Sequence, residues 1–188
     1  MRAGRSIAAV ALAAGLAGSC ASPPAVPHPV EDRERGYRFT LPPDWRMIGY
    51  DARSKGQSLV SIEVFSLVGA ARDFVAGLPK TMLPKLEGWT TYYFIALGPP
   101  ELRESTVGGK PALEVVYRTR VRPKDPPSRA EYWVVRNGNL LYAIRATYPP
   151  LALEQDSRAV REILGSWEFI EATSPNAKEL PPPPSPTP

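Results

Sequence analysis

Between residues 37 and 170 the apolar positions recur mostly at every second residue, the period of a strand with one face buried. Residues 37–41 alternate, with Tyr37, Phe39 and Leu41 against Arg38 and Thr40, until Pro42-Pro43-Asp44 interrupts them; 45–50 resumes as a second short strand. A third covers 58–67, with Val60, Ile62 and Val64 on one face and Leu59, Ser61, Glu63 and Phe65 on the other. The period then lengthens. Over 70–86, Phe74, Val75, Leu78, Met82, Leu83 and Leu86 fall near helical spacing, while Pro79 and Pro84 predict two short helices or one kinked helix. Strands are expected again over 91–97 and 101–106, and Gly108-Gly109 turns the chain into the longest one, 111–122. There Leu113, Val115, Tyr117, Thr119 and Val121 share a face expected in the core, and Glu114, Val116, Arg118, Arg120 and Arg122 share a face expected to be largely wet. After a Pro-rich basic turn over 123–129, Asn137-Gly138 is a two-residue hairpin signal between strands 130–136 and 140–148. Pro149-Pro150 ends the hairpin, 151–164 is an amphipathic helix with Leu153, Val160, Ile163 and Leu164 inward, and 167–170 is a closing strand. The order predicts an α+β fold, a mainly antiparallel sheet with two helical segments packed on it.

The ends of the chain have a different composition. Arg2 and Arg5 precede an uncharged run, 7–19, of Ala, Leu, Val, Ile, Gly and Ser, the form of a secretory signal. Cys20 and then Ser22-Pro23-Pro24 cut the run short of the roughly 20 apolar residues that a membrane span needs. Leu16-Ala17-Gly18-Ser19-Cys20 resembles the cleavage box of bacterial lipoproteins, although Ala17 stands where that box usually has Leu, Val or Ile. The resemblance implies removal of 1–19 and acylation of Cys20, and two or three acyl chains hold a protein on a membrane where one does so only marginally. Ala21 and Ser22 lack the Asp that retains enteric lipoproteins at the inner membrane, so an outer-membrane position is expected. Residues 20–35, with four prolines and then Glu31 to Arg35, read as a tether; 172–188, with Pro181 to Pro184, read as a polyproline-like tail and spacer. The single domain expected between them is 36–171.

Composition excludes several chemistries. One Cys among 188 residues permits no internal disulfide, and one His permits no His-based metal site. That histidine, His28, lies between two prolines in the tether, where a general base would have no fixed position. The formal charge is +4, and removal of Arg2 and Arg5 with the leader brings the chain nearer neutrality, too balanced for nucleic-acid binding. No cofactor is implied. The acids Asp44, Glu63, Asp73, Glu101, Glu104, Glu114 and Glu131 show no recognisable catalytic pairing, and cross-strand pairing with Arg accounts for Glu63 and Glu114.

Gly36-Tyr37-Arg38-Phe39-Thr40-Leu41-Pro42-Pro43-Asp44-Trp45 resembles the opening of PsbP-like domains, including the DcrB-like bacterial lipoproteins. Val107-Gly108-Gly109-Lys110-Pro111-Ala112 and Ile163-Leu164-Gly165-Ser166-Trp167 follow in the matching order, so the resemblance covers about 36–171. It implies a fold used by photosystem subunits, a Ran-binding import factor and secretion chaperones, mostly as a non-catalytic platform, and it transfers no functional residue to this chain. Three functions follow as expectations. The first is a lipid-anchored, non-enzymatic envelope module that binds a protein partner, with Arg118, Arg120 and Arg122 as the partner surface because alternate strand residues point the same way. The second is a carrier, which needs an apolar pocket of several hundred Å³. The third is a carboxylate hydrolase, which needs an acid pair lining one cleft. Of Trp45, Trp89, Trp133, Trp167 and the tyrosines, most belong in the core and one or two are expected to face a partner.

Overall fold

The computed structural model describes residues 26–66, 82–173 and 178–179. The signal run, Cys20, the first part of the 70–86 helical segment and most of the tail lie outside the described residues. Strands β1 (His28–Asp32), β2 (Tyr37–Leu41) and β11 (Glu168–Phe169) form a three-stranded sheet in the order β1-β2-β11. The large sheet runs β3 (Trp45–Ile48), β4 (Asp51–Ser54), β5 (Leu59–Ser66), β10 (Leu140–Thr147), β9 (Ser128–Asn137), β8 (Lys110–Arg120), β6 (Ile95–Ala96). Strand β7 (Glu101–Val107) also pairs with β8, and β12 (Lys178–Glu179) runs parallel to β5 in a sheet otherwise antiparallel. Helices α1 (Leu83–Tyr93) and α2 (Leu153–Gly165) complete the fold, so the α+β architecture expected from the sequence is the one the chain has.

The two helices lie on opposite faces of the large sheet, which follows from strand alternation. Val60, Ile62, Val64, Trp133, Val135, Tyr142 and Ile144 pack with Val160, Ile163 and Leu164 of α2, and on this side Trp167 stacks on Tyr37 and Phe39 of the small sheet. The intervening residues Phe65, Val115, Tyr117, Tyr132, Val134, Leu141 and Ala143 pack with Met82 and Leu86 at the start of α1. The wet face expected on β8 is therefore corrected: Glu114, Val115, Val116 and Tyr117 are all buried. Two helices rather than one cover the central strands.

Two further expectations are revised, for 91–97 and for the tether. Residues 91–97 are not one strand, since α1 continues to Tyr93 and only Ile95–Ala96 is extended. Of the two short helices or one kinked helix expected over 70–86, only the part from Met82 on lies within the described residues, and there Pro84 occupies the first turn of α1, where its missing N–H costs nothing. Within the tether, His28–Asp32 is a paired strand, registered residue by residue from His28 with Leu41 to Asp32 with Tyr37. Its sequence is polar because both edges of so small a sheet face water. On the tail side, the Thr173 amide donates to the Arg33 carbonyl at 3.0 Å, and Lys178–Glu179 pairs with β5.

Candidate functional site

Four connections meet at one end of the large sheet: the β2–β3 loop, the β4–β5 turn, the β8–β9 loop and the β10–α2 loop. Proline stiffens three of them, through Pro42-Pro43, Pro126 and Pro149-Pro150. With the first two turns of α2 they bound a groove of about 850 Å³. Its walls are mainly apolar and include Trp45, Val121, Leu151, Ala152 and Ala159. Leu151 is fully exposed on the rim and Val121 is more than half exposed.

The groove holds its shape through a buried polar clamp. Ser54 Oγ donates to Asp156 Oδ2 at 2.6 Å and accepts the Ser58 amide at 3.0 Å, tying the β4–β5 turn to the start of α2. Asp156 also lies in the first turn of that helix, where a carboxylate complements the unpaired N–H groups. Gly56 lies against the clamp. A Cβ there would stand 2.9 Å from the Ala152 Cβ and 3.0 Å from Asp156 Oδ2, so the turn and helix approach this closely only with glycine. Ser128 Oγ donates to the Tyr148 carbonyl and fixes the opposite wall.

Beneath α2, on the same face of the sheet, two carboxylates converge. Arg161 Nη2 donates to Glu114 Oε1 at 2.7 Å and stands 3.8 Å from Glu131 Oε2. Glu131 also accepts from the Tyr148 hydroxyl at 2.8 Å and meets Arg129 Nε at 3.4 Å. Burial and then the neighbouring Glu131 raise the Tyr148 phenol well above the usual tyrosine range. Burial alone would lower the Arg161 pKa, but the bond to and charge of Glu114 outweigh it and the pKa is raised. The sequence showed no carboxylate pair, and the structure has this one; the partner of Glu114 comes from helix α2 and not from a neighbouring strand. Neither glutamate is among the residues lining the groove. Their contacts hold α2 on the sheet, with the Arg161 guanidinium carbon 5.0 Å from the centroid of the Trp133 ring.

The arginine row is only partly as expected. Arg118 and Arg120 share the α2 face of β8, but the strand ends at Arg120 and Arg122 lies in the following turn. The Asp125 carboxylate accepts the Arg122 amide and the Asp125 amide donates to the Arg122 carbonyl, both at 3.0 Å, which takes the chain off the sheet. Arg120 Nη1 donates to the Pro123 carbonyl at 2.6 Å. Opposite Arg118 on β9 is Arg129, a like charge, and among the described residues no acid pairs with Arg118, Arg120 or Arg122. This basic turn carries Val121 and so forms part of the groove rim. Of the aromatics, Trp45, Trp133 and Trp167 are buried, and Tyr92 and Tyr93 at the end of α1 are exposed, packed edge to face with centroids 4.7 Å apart. His28 is exposed at the start of β1. The groove itself had no sequence signal beyond its prolines, which read individually as strand ends.

No family model and no curated protein matches this chain. Its likenesses are to solved structures. The solution structure of cyanobacterial PsbP (CyanoP) from Synechocystis sp. PCC 6803 is 17% identical, with 82% of this chain and 99% of that one covered at a TM-score of 0.49. The crystal structure of LpqN, involved in cell envelope biogenesis of Mycobacterium tuberculosis, is 12% identical, with 77% and 91% covered at a TM-score of 0.51. At 12% identity the likeness to LpqN is one of fold.

Proposed function

We propose that this chain is an exported, lipid-anchored protein of the cell envelope that works as a binding module rather than an enzyme, with the loop-end groove as the site of a small apolar ligand. The groove carries the reading. At about 850 Å³ it lies within the range of roughly 300–1,000 Å³ typical of small-molecule sites, and it joins apolar walls to a few polar groups, exposed Asp44 and Lys55 and the fixed Ser54–Asp156 pair. The buried glutamates do not reach it. For the address, the run 7–19 and Cys20 supply the argument, and the similarity of fold to LpqN, a protein involved in cell envelope biogenesis, agrees with it. Intact mass of the mature N-terminus checks the anchor: acylated Cys20 is expected, and an unmodified thiol would remove it.

The groove is tested with anilinonaphthalene sulfonate as the apolar probe. The wild-type protein should bind it saturably and with its melting point undiminished. Gln155→Trp, which brings an indole over the groove from an exposed position in the first turn of α2, should abolish that binding while the melting point stays within a few degrees. Equal probe binding by both proteins would show that the groove is not the site.

A further inference from the structure

We infer that the anchored protein lies with its groove end against the membrane, so that the rim of the groove is a docking surface for an anionic phospholipid bilayer. This rests on the reading of Cys20 as the lipid anchor. Three observations on different elements converge on it.

The first is where the chain leaves the fold. His28 is paired with Leu41, the last residue of β2, and the residue that follows, Pro42, lines the groove. His28 is only eight positions after Cys20, a span of at most about 28 Å even when fully extended. An acylated Cys20 therefore keeps this end of the molecule near the bilayer, and the β9–β10 hairpin tip at Gly138-Asn139, at the other end of the long strands, away from it.

The second is what the rim exposes. Leu151 has no cover at all and Val121 is more than half exposed, two apolar side chains on adjoining loops at the mouth of the groove. Apolar residues held in this way on a rigid proline-bounded edge can enter the interface of a bilayer, where a buried apolar face reaches about 5–10 Å.

The third is charge. Arg118, Arg120, Arg122 and Lys124 follow at alternate positions through the end of β8 and the turn that carries Val121, and Lys55 stands on the groove wall. Acids are present too, but they are engaged or fewer: Asp125 is turned onto the Arg122 amide, Asp156 is buried on Ser54, and Asp44 and Glu154 remain exposed. No ion pair within the described residues uses the cations of this turn. Near an anionic surface each such cation contributes on the order of 1 kcal/mol, an attraction confined to about a Debye length. Exposed Arg118, Arg122 and Lys124, none in an ion pair among the described residues, stand beside two uncovered apolar side chains and fit phospholipid headgroups above acyl chains.

The test places an environment-sensitive fluorophore on one new cysteine in the acylated full-length mature protein, whose own Cys20 sulfur is consumed by the lipid. Leu151→Cys labels the rim, and Asn139→Cys labels the hairpin tip as a control. Proteins are reconstituted in vesicles of phosphatidylcholine containing phosphatidylglycerol, or of phosphatidylcholine alone, and acrylamide quenching is read after flotation. In the anionic vesicles the label at 151 should be quenched several-fold less than the label at 139. Replacing Arg118, Arg120 and Arg122 by Glu should abolish that difference with no loss from the floating fraction. Equal quenching at 151 and 139 in floating protein would overturn the docking surface and leave the anchor standing. Failure to float would overturn the anchor, and this orientation with it. Protection at 151 that survives the charge reversal would remove the anionic lipid as the occupant.

Discussion

The guanidinium of Arg161 is nearly half in water, yet the two carboxylates it meets are not. Among the described residues, truncating it leaves Glu114 without its ion-pair partner and Glu131 with only Arg129 and Tyr148. Removing one partner from a fully buried pair costs about 3–5 kcal/mol, and the exposure of Arg161 reduces this, so Arg161→Ala should cost on the order of 2 kcal/mol. Urea unfolding measures it, and Glu114→Gln combined with Arg161→Ala should recover part of the loss because the stranded charge is then gone. An unchanged midpoint for the single variant would mean that the cluster does not hold α2. From sequence, Glu114 read as a member of a solvent-facing row, because the alternation that placed it opposite Val115 says nothing about whether a helix 47 residues later covers that face.

The hairpin between β7 and β8 shows how two neighbouring glycines at one turn differ. Gly108 and Gly109 have φ of +55° and +71°, where an L side chain is strained by about 1–2 kcal/mol. Beyond Gly109 a Cβ meets open space, but at Gly108 it would lie 2.9 Å from the Phe169 ring and 3.0 Å from the Trp167 carbonyl. Gly109→Ala should therefore cost about 1 kcal/mol and Gly108→Ala about 2–4 kcal/mol, the excess coming from moving β11 off the turn. Thermal melts of both decide it, and equal losses would show that the contact with Phe169 gives way freely. Strands such as β2, β5, β8, β9 and β10 were legible because period two and the Asn137-Gly138 turn are local properties. Helix α1 was misjudged over its second half because Thr91-Tyr92-Tyr93-Phe94-Ile95 is a strand-favouring run, and only the packing of Met82, Leu86 and Trp89 against the sheet carries the helix on to Tyr93.

At the scale of the whole molecule, β1 was hidden by a composition of proline and charge that says tether, since a strand on a small exposed sheet buries little and needs no apolar alternation. The groove was hidden for another reason: its walls come from segments more than a hundred residues apart, and no single segment is patterned for it. What the sequence did convey was that most of the aromatics are buried, and that burial sets the response of the fold to alkali. Burial raises Tyr117 and Tyr142 to about 12, with Glu87 adding to the first and Asp32 to the second. Burial likewise pushes up Tyr37, Tyr132 and Tyr148. Unfolded tyrosines ionise near pH ~10, so above that the unfolded chain has lost protons the folded chain still holds, and stability must fall as pH rises. The contribution of these groups is complete below pH ~10 and is lost as pH climbs through the folded values. Melting temperature followed from about pH 8 to about pH 12 should therefore be level at first and then drop steeply. Tyrosinate absorbance from the buried set should appear together with the loss of far-ultraviolet dichroism, because each ring must leave the core to ionise. Full tyrosinate absorbance over an intact fold would show that water reaches these rings in the native state.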